Sequence, residues 1–257
     1  MTNTPRNRTG SRIKSVEIAF TVLDAVRKND RPSVTELADE LGHSKSTIHN
    51  HLRTLENEEI IVRETNGYRL SLQVLDMAND VRDQVANYDV IVDAVDELAD
   101  ETGEIAQFGL EEHGQVSYLY KAKGNQAVET ASRVGGKQPM YSTSLGKSIL
   151  SFLPSSRQEE IVTEAAFERK TPKTITDPAR LYEELEEIAE RGYAIDDEEN
   201  IEGLRCVAAP VRSGTSVVGA VSVSGPASRI TDDYLHGELA ESVQRAANVI
   251  ELNTKFS

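Results

Sequence analysis

The stretch that decides the fold of the first domain is SVTELADELGHSKSTIHNHLRTL, residues 33–55. Ser33 stands three residues before Glu36, the spacing of a capping box that begins a helix. Apolar residues then recur at helical spacing up to Leu41. Gly42 can end that helix in the left-handed conformation, and Ser44 can cap the next one. The stretch therefore predicts two short helices joined by a tight turn, the arrangement of a helix-turn-helix.

The second of these helices has one apolar and one polar side. Ile48, Leu52 and Leu55 form the side that we expect to be buried. The candidate DNA-contacting residues are Lys45, Ser46, Thr47, His49, Asn50 and Arg53. Short donors, acceptors and cations of this kind contact base edges and phosphates in the major groove. Two helices joined by a glycine are also common in plain helical domains, so this pattern needs support from the residues on either side of it.

The flanking residues give that support. Residues 60–62 predict a strand, Asn66-Gly67 is a strong hairpin signal, and residues 68–70 predict the returning strand. A hairpin in this place is the wing of a winged helix-turn-helix. Upstream, apolar residues at helical spacing between Val16 and Val26 predict a supporting helix. We expect residues 1–11 to form a flexible basic arm that lies along phosphates or in a minor groove. A merely solvated tail is the alternative, and Arg12 joins the DNA-contacting candidates.

The remaining chain changes from helical to strand periodicity. We expect a linker helix over residues 74–88 and a further helix over 88–102. Helices are also expected after Ser144, over 156–165, after Asp177 and after Thr231. Predicted strands cover 105–110, 116–120, 128–131, 193–195, 205–211 and 217–224. Strands in two groups with helices between them predict an α+β domain with an antiparallel sheet. The expected division is an arm at 1–11, a winged helix-turn-helix at 12–73, the linker at 74–88 and an effector-binding domain at 89–257.

Charge is distributed unevenly along the 257 residues, whose formal net charge is −15. Residues 1–75 carry 11 Lys and Arg against 10 Asp and Glu, whereas the rest carry 17 against 33. A near-neutral first domain in an acidic protein is compatible with a DNA partner. The excess of carboxylates fits a cytoplasm of molar salt, in which screening lets like charges crowd. We therefore expect a halophilic source, with an ordinary acidic regulator as the alternative.

Several classes of site are not supported by the sequence. Cys206 is the only cysteine, which rules out an internal disulfide and a cysteine-cluster zinc site. No His pair has ligand spacing, and we expect neither a metal nor a cofactor. No apolar run has the length of a membrane span, and the polar beginning lacks a signal-peptide core, so we expect a cytoplasmic protein.

Two short strings imitate catalytic motifs. Ser144 and Lys147 have the Ser-x-x-Lys spacing of acylating serine enzymes, but the accompanying motifs of those enzymes are absent. Gly146-Lys147-Ser148 resembles the end of a P-loop, yet Tyr141 stands where the first glycine is required. A serine acyl-enzyme is kept as an alternative function.

Residues 15–250 resemble the IclR family of bacterial and archaeal transcription regulators. In the first domain the resemblance rests on Ser15-Val16-Glu17 and Lys45-Ser46-Thr47-Ile48-His49. In the second it rests on residues 132–135 (SRVG), 145–147 (LGK), 191–194 (RGYA), 196–199 (DDEE), 203–210 (GLRCVAAP) and 223–226 (VSGP). The resemblance implies a second domain of GAF-like fold that binds an effector.

The resemblance also implies site residues. Ser46, Thr47, His49 and their neighbours are expected in the major groove. The implied effector pocket is lined by Thr130, Ser144, Leu145, Asp196, Leu204, Cys206, Ser222 and Ser224, and Gln138 adds a polar group. The family's usual Arg after the recognition-helix His is Asn50 here, and Arg53 is expected to restore a phosphate contact.

These features together predict a sequence-specific transcription regulator whose operator affinity responds to a small metabolite. We expect the metabolite to be a small carboxylate or a sugar derivative. The protein is expected to act as a dimer or a tetramer on a pseudo-palindromic operator of double-stranded DNA. Besides the acyl-enzyme, a DNA-binding protein without a ligand remains as an alternative.

Overall fold

A computed structural model describes residues 12–130 and 132–254. The chain divides into two compact units with the boundary between Gln84 and Val85, inside the expected linker 74–88. The predicted basic arm, residues 1–11, lies outside the described residues. Within the part of the chain that is described, no helix is long and apolar enough to cross a membrane.

The N-terminal unit is a winged helix-turn-helix, as the sequence predicted. Its elements are α1 (Lys14–Lys28), α2 (Val34–Leu41), α3 (Lys45–Asn57), β1 (Ile61–Glu64), β2 (Gly67–Leu70) and α4 (Gln73–Asp83). The core beneath them contains Val22, Leu37, Ile48 and Leu52, all without solvent exposure.

The turn between α2 and α3 has the expected capping chemistry. The Ser33 hydroxyl accepts from the N–H of Glu36 at 3.3 Å, and the Glu36 carboxylate accepts from the N–H of Ser33 at 2.8 Å. Gly42 follows α2 with φ of +65°, the left-handed conformation that glycine adopts without strain. Ser44 then caps α3 by accepting from the N–H of Thr47 at 3.1 Å.

The wing is fixed by a close approach of its turn to the α1–α2 loop. A Cβ on Gly67 would lie 2.0 Å from the carbonyl oxygen of Arg31, so only glycine fits there. The N–H of Tyr68 donates to the carbonyl of Pro32 at 3.2 Å. On the surface, the Glu64 carboxylate accepts from Arg31 and Arg69, each at 2.6 Å.

The C-terminal unit is an α+β domain with one six-stranded antiparallel sheet, which confirms the predicted fold class. Its helices are α5 (Tyr88–Thr102), α6 (Ser144–Leu150), α7 (Ser155–Glu164), α8 (Pro178–Arg191), α9 (Asp232–His236) and α10 (Glu238–Thr254). Its strands are β3 (Ile105–Glu112), β4 (Gln115–Lys123), β5 (Lys137–Pro139), β6 (Ala194–Asp197), β7 (Leu204–Ser213) and β8 (Ser216–Pro226). The strand order is β5-β4-β3-β8-β7-β6.

The two faces of this sheet have different neighbours. Val207, Ala209, Val221 and Val223 point to one face and share a core with α5 and α10. Because side chains alternate along a strand, the residues between them point to the opposite face, where Ala208 and Ala220 share a core with α6 and α8.

The predicted strand at 128–131 is wrong. Residues 128–130 are not in a strand, and Ala131 lies outside the described residues. The segment is held by side chains instead, since Glu129 and Thr130 accept hydrogen bonds from Lys123 and Lys121 of β4. The edge of β4 pairs instead with β5.

Two of the predicted helices differ from the structure in where they begin or end. Thr143, and not Ser144, caps α6, because its hydroxyl accepts from the N–H of Gly146 at 3.0 Å. The closing helix expected after Thr231 is two helices. The chain breaks at Gly237, whose φ of −101° and ψ of −109° are not helical.

Candidate DNA-contact surface and ligand cavity

The polar side of α3 is the candidate DNA-contact surface. Lys45, Ser46, His49, Asn50 and Arg53 are exposed on it, while Ile48 and Leu52 on the opposite side are buried. Because the buried side fixes the rotation of the helix, these side chains share a defined outward face.

Two other predicted contact residues are partly engaged within the protein. Thr47 is half-buried, and its hydroxyl lies 2.8 Å from the Ser44 hydroxyl that caps the helix. Arg12 forms an exposed ion pair of 3.2 Å with Glu17. An exposed pair of this kind contributes little to stability.

The C-terminal unit contains a polar cavity with about 480 Å³ of empty space, part of it open to solvent. All the predicted effector-binding residues line it: Thr130, Gln138, Ser144, Leu145, Asp196, Leu204, Cys206, Ser222 and Ser224. The sequence reasoning missed further lining residues, namely Gln107, Tyr118, Ser132, Thr143, Asn200 and Ile201. Whether these residues bind a ligand stays a prediction.

Strand register explains why these residues converge. Cys206 of β7 pairs with Ser224 of β8, and Asp196 of β6 pairs with Cys206. Ser222 is two residues before Ser224 on β8 and therefore points to the same face, where it pairs with Gln107 of β3. All of them point away from the apolar core under α5 and α10. Gln107 was detectable as a polar position within the apolar strand 105–110.

One wall of the cavity contains a buried carboxyl. The side chain of Asp196 accepts from the N–H groups of Glu199 and Asn200 at 2.7 and 3.2 Å. Burial first, and then the neighbouring Glu199, raise the pKa of Asp196 to about 7. Asp196 therefore changes charge near neutral pH.

Behind this wall lies a buried ionic network. Lys147 is 1% exposed and donates to a carboxylate oxygen of Glu199, and its Nζ lies 3.9 Å from Glu184. Arg191 closes the network with a 2.8 Å bond to Glu184. With its ammonium group held by Glu199, Lys147 is not placed as a free base for Ser144, which gives the acyl-enzyme alternative no support.

Cys206 is enclosed in the same wall. Burial, followed by the charge of Asp196, raises the pKa of its thiol well above the ordinary value. A thiol that stays protonated and buried packs as a small side chain and is a poor redox sensor. Among the described residues, no cluster of three or more His, Cys, Asp or Glu side chains could hold a metal ion.

A winged helix-turn-helix joined to an α+β domain with a polar cavity defines a transcription regulator with a separate effector domain. Family models agree with both parts. The IclR helix-turn-helix domain matches residues 15–65, and the bacterial transcriptional regulator IclR C-terminal domain matches residues 85–252. The chain belongs to the IclR family of DNA-binding transcription regulators.

Individual relatives match nearly the whole chain. The probable HTH-type transcriptional regulator ArcR of Halobacterium salinarum is 34% identical over 94% of this chain and 94% of its own. Its source, a halophilic archaeon, agrees with the expected halophilic origin. The HTH-type transcriptional regulator KdgR of Escherichia coli is 29% identical over 93% of this chain and 92% of its own.

Solved structures show the same fold. The crystal structure of Thermotoga maritima IclR is 31% identical, with a TM-score of 0.80 over 94% of this chain and 99% of that one. An IclR homologue from Microbacterium hydrocarbonoxydans, complexed with 4-hydroxybenzoate, is 23% identical, with a TM-score of 0.79 over 95% and 100% of the two chains.

The buried Asp196 predicts a specific pH dependence of stability. Its pKa in the folded protein, about 7, lies above the value of 3.8 expected when unfolded. Folding is therefore favoured by the bound proton at low pH, and this stabilisation is lost as the pH rises from about 4 to about 7. The full effect is on the order of 4 kcal/mol. Asp196→Asn should flatten this slope when unfolding free energies are measured by denaturant titration at fixed salt.

Asp197→Asn is the matched control. For Asp197, burial is outweighed by bonds to Lys173 and Arg205, so its pKa is lowered and its contribution has the opposite sign. An Asp196→Asn protein with the same pH slope as the parent would contradict the assignment.

Proposed function

We propose that a small metabolite bound in the C-terminal cavity changes the affinity of the protein for its operator. The observation that carries this proposal is the convergence of all nine predicted effector-binding residues on one cavity of the C-terminal unit. The proposed division of labour assigns residues 12–73 to DNA contact, 74–88 to the linker and 89–257 to the effector. As a DNA-binding regulator, the protein acts in the cytoplasm beside the chromosome.

The lining of the cavity supports a small hydroxylated acid or a sugar derivative. Its polar groups are hydroxyls, side-chain amides, one phenol and one carboxyl, and its apolar contribution comes mainly from Leu145, Ile201 and Leu204. The many hydrogen-bonding groups of this lining favour a ligand rich in oxygen. The shared fold holds a hydroxylated carboxylate in the Microbacterium homologue.

The proposed mechanism is a shift between two populations of the protein. A metabolite that binds one conformation of the protein more tightly increases the population of that conformation. Operator DNA likewise increases the population of the conformation that it binds more tightly. The coupling is reciprocal, so operator DNA must change metabolite affinity by the same factor.

A titration tests this mechanism. We expect a metabolite that binds the cavity to change the operator dissociation constant about 5- to 150-fold, measured by fluorescence anisotropy at fixed molar salt. Demonstrated binding of the metabolite with an unchanged operator constant would reject the proposal.

The outward face of α3 is proposed to read the operator. An α3 seated in the major groove contacts base edges mainly through its N-terminal residues. Asn50 can form paired hydrogen bonds with an adenine, and Arg53 can contact a phosphate.

Substitutions on α3 separate these two roles. Asn50→Ala should weaken operator binding about tenfold or more and relax the base preference at one position. Arg53→Ala should weaken binding to all sequences and lower the salt slope by about 1. Asn57→Ala, an exposed residue at the far end of α3, is the control. Equal affinity for all three variants and the parent would exclude α3 as the reading helix.

We also propose that the protein is a homodimer through its N-terminal unit. Helix α4 has no buried residue, and Met77 and Val81 are 48% and 55% exposed on one side of it. Helix α1 likewise exposes Val16 and Phe20 at 47% and 67%. A helix of this length is marginal alone, so a second copy that covers it accounts for its apolar side. Two copies related by a two-fold axis also suit a pseudo-palindromic operator.

Charge on the apolar side of α4 should disrupt the dimer. Met77→Glu with Val81→Glu is expected to shift the sedimentation-equilibrium mass to that of the monomer and to weaken operator binding. Asn79→Glu adds a charge on the opposite, exposed side of α4 and should leave the mass unchanged. A double variant that stays dimeric would place the interface elsewhere.

A further inference from the structure

Lys121 of β4 holds one end of the cavity without itself lining it. Its Nζ donates to Thr130 Oγ1 at 3.1 Å, to the Ser132 carbonyl at 2.8 Å and to Ser132 Oγ at 3.0 Å. Thr130 and Ser132 both line the cavity. A lysine ammonium has three donors, so all of them are used on neutral oxygens.

The nearby carboxylate is already paired. Both oxygens of Glu129 accept from Lys123, at 2.8 and 2.7 Å. Lys121 is half-buried, and burial, followed by the like charge of Lys123, lowers the pKa of its ammonium group. A positive charge therefore stands at this end of the cavity with neutral hydrogen-bond partners only.

The hydrogen-bond directions around Ser132 are fixed by counting lone pairs. Ser132 Oγ accepts from Lys121 and also from Gln107 Nε2 at 2.9 Å. A hydroxyl oxygen accepts two bonds, so the Ser132 hydroxyl must donate, and Thr130 Oγ1 lies 2.8 Å away. Thr130 Oγ1 then accepts from both Lys121 and Ser132, which leaves its own proton for an acceptor in the cavity.

We infer that this end of the cavity, with Thr130 as donor and Lys121 as the source of charge, binds the carboxylate of an organic acid effector. The inference rests on the proposed function and narrows its ligand class. A carboxylate accepts from the Thr130 hydroxyl, and its negative charge compensates the Lys121 ammonium. The opposite wall repels it whenever Asp196 is ionised, so the acid is bound in one orientation with its hydroxyl or neutral part towards Asp196.

The experiment compares acids with their neutral amides. Glycolate, lactate, 4-hydroxybenzoate and gluconate, each beside its primary amide, are titrated by calorimetry at fixed molar KCl, and operator affinity is measured with each. We expect at least one acid to bind the parent protein about tenfold or more tightly than its amide, as a charge-assisted hydrogen bond implies.

Three variants assign the preference to Lys121. Lys121→Met should abolish the preference for the acid over the amide. Thr130→Val keeps the charge and removes the outward donor, so it should weaken acid binding about tenfold. Lys137→Met, an exposed lysine on the neighbouring strand β5, removes one positive charge and leaves the Lys123–Glu129 pair intact; it is the control and should keep the acid preference. Thermal unfolding of each variant without ligand shows that the fold is retained.

The outcomes separate this inference from the proposed function. Binding of neutral members with a changed operator affinity, and no preference for acids, overturns the inference and leaves effector control standing. Acid binding that depends on Lys121 but leaves operator affinity unchanged supports the inference and rejects effector control. An acid preference that survives Lys121→Met overturns the inference. Failure of every acid and amide to bind overturns both.

Discussion

The alternation of side chains along β7 and β8 is the constraint on which the C-terminal unit depends. Val207, Val221 and Val223 on one face close the core under α5 and α10. The positions between them are small or polar, so the opposite face cannot close on α6 in the same way and leaves a cavity. A shift of register by one residue would place Cys206, Ser222 and Ser224 in the apolar core and the valines in the cavity. The apolar face thus fixes the strand register, and the register places these polar residues on the opposite face.

Two ionisable side chains are buried beside this cavity. Asp196 and Lys147 lie where strand and helix meet, and each is almost without solvent exposure. Isolated charges at such positions would be costly, but Glu199 partners Lys147, and two backbone N–H groups partner Asp196. One carboxylate oxygen of Glu199 and the Ser148 hydroxyl remain without a partner among the described residues. Replacing buried ionic networks by well-packed apolar residues is often neutral or stabilising, so this network is weak evidence for a role in stability.

Sequence reasoning recovered the features that depend on local chemistry. The capping box at Ser33 and the glycine after α2 are short-range signals that appear in the structure. The hairpin signalled by Asn66-Gly67 also forms, but its turn is Thr65-Asn66, and Gly67 begins β2 opposite Glu64. The cavity residues came from the resemblance to the IclR family, because only the fold brings Thr130, Ser144 and Asp196 together. The strand expected at 128–131 failed because side-chain bonds from Lys121 and Lys123 hold that segment, and the periodicity of a sequence does not report side-chain bonds. The bonds of Lys121 to Ser132 explain why Ser132 was missed.

The distribution of charge affects the two partners of the protein differently. In molar salt the release of counterions from DNA contributes little free energy, so base contacts and a second recognition helix must supply more of the operator affinity. A near-neutral N-terminal unit fits this requirement, because it is not repelled by the DNA phosphates and does not depend on a large basic surface for its affinity. Screening acts less inside a partly closed cavity than on the surface. The opposed charges of Lys121 and Asp196 can therefore still orient a small acid under the salt conditions that weaken the attraction of DNA to surface lysines and arginines.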